Sequence, residues 1–266
     1  MSLVAGFLGS MTGLGGGIVI VPFLTLAFGV DIHYAMGASL VSVLATSSGS
    51  AAAHAKSGFA NFRIGLFLEI AATAGALAGT LITAMISPGL VAGIFGLVLL
   101  HSAYMSSMRP PAGDENAVPN RISSFLRLNG EYHSDRGAQR YTARSISFGF
   151  AVMAIAGVLS GLLGIGSGAL KVVGMDRIMK IPFKVSTATS NFMIGITAAA
   201  GAGVYLHKGY IDPGLSMPVM LGVLAGSLVG ARFLTKVKTS GARLIFAIAI
   251  GLIGFEMIYK GMAGKF

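Results

Sequence analysis

Eight apolar runs, each near the ~20 residues a helix needs to cross a bilayer, set the terms for this sequence: approximately 3–28, 35–54, 64–85, 89–107, 145–170, 185–206, 214–235 and 242–259. We label them a to h. A water-soluble globule cannot hide so much apolar chain: charged side chains are 11% of the 266 residues and apolar ones 54%, whereas soluble domains carry roughly 25% charged residues. Turn formers punctuate the runs at Asp31, Lys56-Ser57-Gly58, Ser87-Pro88-Gly89, Asp212-Pro213-Gly214 and Thr239-Ser240-Gly241. The start, MSLVAGFLGSM, has no basic region ahead of its apolar stretch, so it reads as part of the folded protein and not as a removable leader. Cysteine is absent, which excludes disulfide staples, redox thiols and Cys-ligated metal. With no tryptophan, Tyr34, Tyr104, Tyr205, Tyr210 and Tyr259 near run ends are the candidates for interfacial anchors.

An internal repeat runs through the chain. Setting Gly164 under Gly13 defines an ungapped offset of 151 residues, which also aligns Ala5 with Ala156, Gly6 with Gly157, Gly15 with Gly166, Gly17 with Gly168, Ser39 with Ser190, Phe59 with Tyr210, Gly75 with Gly226 and Gly79 with Gly230. Transporters are often built from such duplicated halves. The first repeat takes residues 1–108 and the second 145–266. Between them, 109–144 is a polar connector in which Leu126 to Tyr132 carries an Asn-Gly turn signal flanked by strand formers, the mark of a small hairpin.

The charge pattern reports topology. The net charge of +10, from 19 Lys and Arg against 9 Asp and Glu, sits in short clusters between apolar runs, which fits the excess of Lys and Arg in cytoplasmic loops and argues against nucleic acid as a partner. Loop b–c holds Lys56 and Arg63, while in the second half Arg177, Lys180 and Lys184 sit in loop e–f and Lys236 and Lys238 in loop g–h. Equivalent loops therefore prefer opposite sides, which needs an odd number of crossings per half. Runs a and e supply the odd segment: as one helix, run a would be about 42 Å long at 1.5 Å per residue, well beyond a ~30 Å core. Two half-helices of about 12 residues, some 18 Å each, would dip in and return. The expected fold is an all-α multi-pass membrane protein of two inverted four-segment repeats, each with one glycine-broken or re-entrant segment and with the connector cytoplasmic. Eight plain spans in parallel halves are the competing arrangement.

The chemistry centres on TGLGGGIVIVP at 12–22 and LGIGSGALKVV at 163–173. Neither is a dinucleotide fingerprint, since Ile18 and Ala169 stand where the final glycine belongs. Glycines this dense break a helix and free backbone N–H groups, which inside a membrane must face protein, water or ligand. Aimed from half-helix N-termini, they make an anion site around Gly13, Gly15, Gly17, Gly164, Gly166, Ser167 and Gly168. Close helix packing is the bland alternative, and we adopt it for the GxxxG pairs Gly75/Gly79 and Gly226/Gly230. Ser39, Ser190 and Asn191 are candidate side-chain donors, beside Thr46, Ser47, Thr187 and Thr189. Membrane hydroxyls also bond back to their own helix. Lys171, whose counterpart is Ile20, could neutralise the anion or snorkel to the surface. Glu69, His101 and Glu256 are candidates for proton coupling, against which stands an interfacial position near run ends. No hydrolase, P-loop or zincin signature occurs, the histidines lack ligand spacing, and neither cofactor, metal site nor enzymatic activity is expected.

These residues resemble the sulfite exporter TauE/SafE family of membrane permeases. The resemblance lies in GLGGGIVIVP at 13–22, SGLLGIGSGALKV at 160–172, ATSNFMIGITAAAG at 188–201 with Tyr205 and Gly209 to Asp212 following, and LGVLAGSLVGAR at 221–232. It implies transport of sulfite, thiosulfate or organosulfonates across a prokaryotic plasma membrane. Two departures stand out: Ser167 where the pattern has a third consecutive glycine, and Val173 where a proline commonly follows Lys-Val. The expected partners are a small sulfur-containing anion, the lipid bilayer, protons and a second copy of the chain in a homodimer. The rivals are an anion channel, a non-transporting subunit of a membrane complex and, more weakly, a metal-cation permease.

Overall fold

The protein is described by a computed structural model covering residues 1–12, 15–57, 59–83, 85–107, 128, 130–134, 137–234 and 240–263. Among them the chain is all-α apart from one small hairpin. Run a is two helices, α1 (Ser2–Thr12) and α2 (Gly17–Phe28), and runs b to d are α3 (Ile32–Ser57), α4 (Phe62–Thr83) and α5 (Pro88–Ser107). Strands β1 (Gly130–Ser134) and β2 (Gly137–Tyr141) precede run e, which is α6 (Ile146–Leu163) and α7 (Gly168–Val173) continued by a wide turn, Gly174–Ile178. Runs f to h are α8 (Phe183–His207), α9 (Pro213–Leu234) and α10 (Ser240–Met262). Helix starts keep step with the 151-residue offset: Gly17 and Gly168, Ile32 and Phe183, Phe62 and Pro213.

Both broken runs are helical hairpins. Gly15 and Gly16 turn the first at φ +79° and +72°, Gly164 and Gly166 the second at +64° and +76°, a region that glycine enters without the Cβ penalty. After the second loop the chain doubles back along α6, so that the Arg144 N–H at its start donates to the Met179 carbonyl at 2.9 Å. The half-helix expectation fits α1 (11 residues) and α2 (12 residues). It fails for α6, whose 18 residues reach about 27 Å at 1.5 Å each. The helical stretch of run e also continues past 170 to Ile178: Val173 keeps the N–H that proline lacks, so no break falls after Lys171.

Three described segments are long and apolar enough to cross a membrane, Phe62–Thr83, Ile146–Leu163 and Pro213–Gly230. Helices α3 and α8 are longer, at 26 and 25 residues, but lie at the centre and bury hydroxyls such as Ser39, Ser42, Thr46, Ser186 and Ser190. The outside is apolar instead: Leu66, Ile70, Leu81, Ile155, Leu221, Leu252 and Phe255 are exposed.

Small residues let the helices touch at backbone distance. A Cβ on Gly75 or Gly79 of α4 would lie 2.2 or 2.1 Å from the Ala154 or Val158 carbonyl oxygen of α6, and one on Gly157 or Gly161 would lie 2.0 Å from the Ala72 or Ala76 oxygen. Both numbers rise together, so α4 and α6 run parallel. Helices α1 and α9 repeat this contact, with Gly6 against Val223 and Gly226 against Leu3. By the same test α5 and α10 are antiparallel, through Gly96 with Gly254 and Gly89 with Gly261. So are α3 and α8, through Met36 with Tyr205, Leu40 with Gly201 and Ser47 with Gly195.

The connector's end packs onto this bundle. β1 and β2 pair from Gly130↔Tyr141 to Ser134↔Gly137, so Gly130 opens a strand and the reversal falls between 134 and 137, not at Asn129-Gly130; Asn129 lies outside the described residues. Alternating faces explain the choice, because this register turns Tyr141 inward. Its hydroxyl accepts from Asn61 Nδ2 at 2.8 Å, and the Asn61 N–H donates to Thr189 Oγ1 at 3.0 Å. Burial pushes the Tyr141 phenol up, against the pull of Asn61, and keeps it protonated. The starts of α4, α6 and α8 therefore share one end of the molecule with the hairpin, and Arg63, Arg140, Arg144, Arg177, Lys180 and Lys184 gather there. At the other end lie Asp31, His33, Lys208 and Asp212.

Gly157→Ala should lower the melting temperature of the detergent-purified protein, reflecting the ~1–3 kcal/mol typical of overpacking, whereas Gly93→Ala, with open space around it, should not. Equal melting temperatures would refute the backbone-contact account of the α4–α6 seam.

Candidate functional site: two glycine loops and a buried ion pair

The two glycine loops meet across one pair of side chains. A Cβ on Gly15 would lie 3.1 Å from Ile194 Cγ2 and 3.4 Å from Val43 Cγ1; on Gly166 it would lie 2.6 and 2.8 Å from those same two atoms. Gly15 and Gly166 are offset partners, and so are Val43 and Ile194. Gly17 completes the contact, its missing Cβ 2.6 Å from Ser39 Oγ and 3.1 Å from Ile165 Cα. The structure thus brings Gly15, Gly17, Gly164, Gly166, Ser167 and Gly168 into one buried region. Gly13 lies outside the described residues.

The expected side-chain donors brace these loops. Ser39 Oγ donates to the Gly164 carbonyl at 2.7 Å, Ser190 Oγ to the Gly168 carbonyl at 3.3 Å, and Asn191 Nδ2 to the Ser10 carbonyl near the end of α1 at 3.1 Å. Ser47, across from α8, donates to the Asn191 carbonyl. The Ser39 hydroxyl proton is thereby committed to the carbonyl at the end of α6, since a broken helix leaves C=O groups as well as N–H groups to satisfy, and Ser190 adds a bond to the carbonyl of the first residue of α7. Ser167 differs: it sits at φ +50°, is 2% exposed, and its hydroxyl has no hydrogen-bond partner among the described residues.

Lys171 does not snorkel. It is 0% exposed, and its Nζ lies 2.9 Å from Glu69 Oε2 on α4 and donates to Thr197 on α8. Thr197 donates to Glu69 Oε1, which also accepts from Thr73 Oγ1 at 3.2 Å. Glu69, only 3% exposed, is therefore enclosed by protein and paired, not open to the surroundings. His101 and Glu256 are exposed, and Glu256 pairs with Lys260 one turn away at 3.1 Å. Sequence reasoning passed over Val43, Ile194 and Thr197. The offset could have found all three, since Thr197 pairs with Thr46 just as Ile194 does with Val43.

A second offset-related contact appears at the two ends. The His33 ring stacks on Tyr210 with centroids 5.1 Å apart, and Lys184 Nζ stands 5.7 Å from the centroid of Phe59. His33 and Lys184 are offset partners, as are Phe59 and Tyr210, so a cationic or imidazole side chain meets an aromatic ring once at each end.

Comparison with known proteins agrees with this architecture. The family model described as Sulfite exporter TauE/SafE matches residues 1–257. The probable membrane transporter protein YunE of Bacillus subtilis (strain 168) is 29% identical over 269 residues, covering 98% of this chain and 96% of that protein. The probable membrane transporter protein YdhB of the same organism is 29% identical over 257 residues, with 95% of each chain covered. The probable membrane transporter protein MJ0441 of Methanocaldococcus jannaschii is 24% identical over 274 residues, with 97% and 93% covered. No solved structure matches the chain significantly. The chain is a multi-pass membrane protein and belongs to the sulfite exporter TauE/SafE family of transporters.

Proposed function

We propose that this permease is a secondary transporter that binds a small sulfur-containing anion, such as sulfite, thiosulfate or an organosulfonate, between its two glycine loops and passes it by alternating access. The observation that carries this reading is the meeting of Gly15 and Gly166 on the same atoms of Val43 and Ile194. Loop N–H groups near Gly13, Gly15, Gly17, Gly166 and Gly168 supply positive partial charge, in the manner of helix N-termini facing anions, whereas the Gly164 N–H is already taken by the Ser160 carbonyl at 2.8 Å. Ser167 offers a hydroxyl, while Ser39, Ser190 and Asn191 hold the loops in shape.

The halves 1–108 and 145–266 act as inverted repeats on this reading. Support comes from direction: the offset-matched helices α3 and α8 run antiparallel, as do α5 and α10, while α4–α6 and α1–α9 are the same parallel seam made twice. A two-fold axis in the membrane plane relates such elements in transporters. The two helical hairpins then open toward opposite faces. By the excess of Lys and Arg on the cytoplasmic side, the end holding Arg63, Arg144, Lys180, Lys184 and the connector faces the cytoplasm. Phe59 with Lys184 closes that side and Tyr210 with His33 the other, so one gate can release while its twin holds.

Calorimetry on the purified protein should detect binding of sulfite, thiosulfate or a small sulfonate, and Ser167→Gly should weaken it about tenfold, in the range for a hydrogen bond to a charged group, without lowering the melting temperature. Unchanged affinity would remove Ser167 from the site, and no binding of any sulfur anion would remove the substrate class. Because the chain lacks cysteine, Val43→Cys can report access: Tyr210→Ala should raise its labelling by an impermeant thiol reagent from the outer face only, Phe59→Ala from the cytoplasmic face only. Equal effects from both faces would contradict the two gates.

A further inference from the structure

Glu69 and Lys171 form an ion pair with both side chains buried, and it breaks the two-fold pattern. At the offset position Glu69 faces Met220 and Lys171 faces Ile20, so the other half makes the equivalent place with apolar side chains. The repeated architecture does not require the pair, and buried pairs add little stability over apolar replacements. Its placement is specific. Lys171 follows Gly168 by one helical turn, and Thr197, which bonds both partners, follows Ile194 by three residues on α8. One face of α8 thus reaches from Ser190 at the loop, past Ile194 between the loops, to the ion pair. The surrounding elements carry no competing charge at this level: α6 has none, α8 has only Lys184 and His207 at its ends, and α4 has only Arg63 at its start besides Glu69. Asp176 and Arg177 lie beyond α7 in the wide turn.

We propose that Lys171 and Glu69 form the coupling site of transport: the substrate anion displaces the Glu69 carboxylate from the Lys171 ammonium, and the displaced carboxylate takes up a proton from water, so that anion and proton move together. This rests on the anion-permease reading above. The chemistry balances without any further reactant. Lys171 remains an ammonium throughout, exchanging its hydrogen bond to Glu69 Oε2 for one to the oxyanion. A proton from bulk water adds to Glu69, because two anions cannot share one buried cation. Thr73 and Thr197 stay within reach of the protonated acid. When the anion leaves, the proton follows and the pair re-forms. A monoanion with one proton crosses without net charge; a dianion with one proton carries one negative charge.

The test uses the full chain in proteoliposomes with thiosulfate and methanesulfonate, neither of which titrates near neutral pH. Lumenal pH is read by a trapped dye and anion content is assayed directly. Wild type should take up anion and acidify the lumen together, with methanesulfonate flux insensitive to a clamped membrane potential. Glu69→Gln should lose at least nine-tenths of the acidification per anion taken up. The double variant E69M/K171I, which installs the residues of the other half, should keep the wild-type melting temperature and lose anion uptake at least tenfold. Anion uptake by wild type without pH change, or acidification that persists in either variant, would overturn the coupling. No uptake of either anion by wild type would overturn the permease reading itself, and this proposal with it.

Discussion

A helix broken inside an apolar interior exposes backbone groups that water cannot reach, and each must find a partner there. This protein has two such breaks, and much of its central architecture answers to them. The carbonyls at the edge of the second break are taken up by Ser39 and Ser190, and the Ser10 carbonyl near the first by Asn191. Those side chains come from the two longest helices, which accounts for why α3 and α8 are central and rich in hydroxyls while their neighbours are greasy. Serving both loops at once requires α3 and α8 to cross close together, and Val43 and Ile194 fill the gap. On the proposed reading, the loop N–H groups not taken by protein carbonyls are what such a scaffold leaves for an anion.

Several helix contacts recur at the 151-residue offset, but the charge does not. One half holds Lys171 and Glu69 where the other holds Ile20 and Met220. A symmetric framework can exchange two equivalent shapes at little cost, whereas a single asymmetric pair gives the exchange a chemical meaning. On the proposed mechanism, the glycine loops and aromatic contacts handle shape, and the Glu69–Lys171 pair handles charge.

Much of this was legible in the sequence. The eight runs, the offset of 151 and the two glycine clusters rest on local composition and spacing, and apart from the end of run e the helix boundaries fall within a few residues of those runs. The all-α membrane fold and the family followed from the same features. What failed had physical reasons. The pairing of Glu69 could not be read because hydropathy sees only distance along the chain, while its partner sits 102 residues away on another element. Ser39, Ser190 and Asn191 were correctly picked as polar groups beside the breaks, but composition cannot say whether a hydroxyl serves a carbonyl or a ligand. The strand turn was misplaced because the burial of Tyr141 outweighs the preference of Asn-Gly.

The exchanged seams have a consequence for biogenesis. Helix α1 has its glycine face covered by α9, whose contact residue for Gly6 is Val223. Ribosomes add about 5–20 residues per second, so α1 waits on the order of 10–40 s in the bilayer before its partner exists. Helix α4 waits less, since α6 follows directly after the connector. The nascent chain therefore closes its middle seam well before the one that covers α1, and the glycine face of α1 stays open to lipid until α9 arrives.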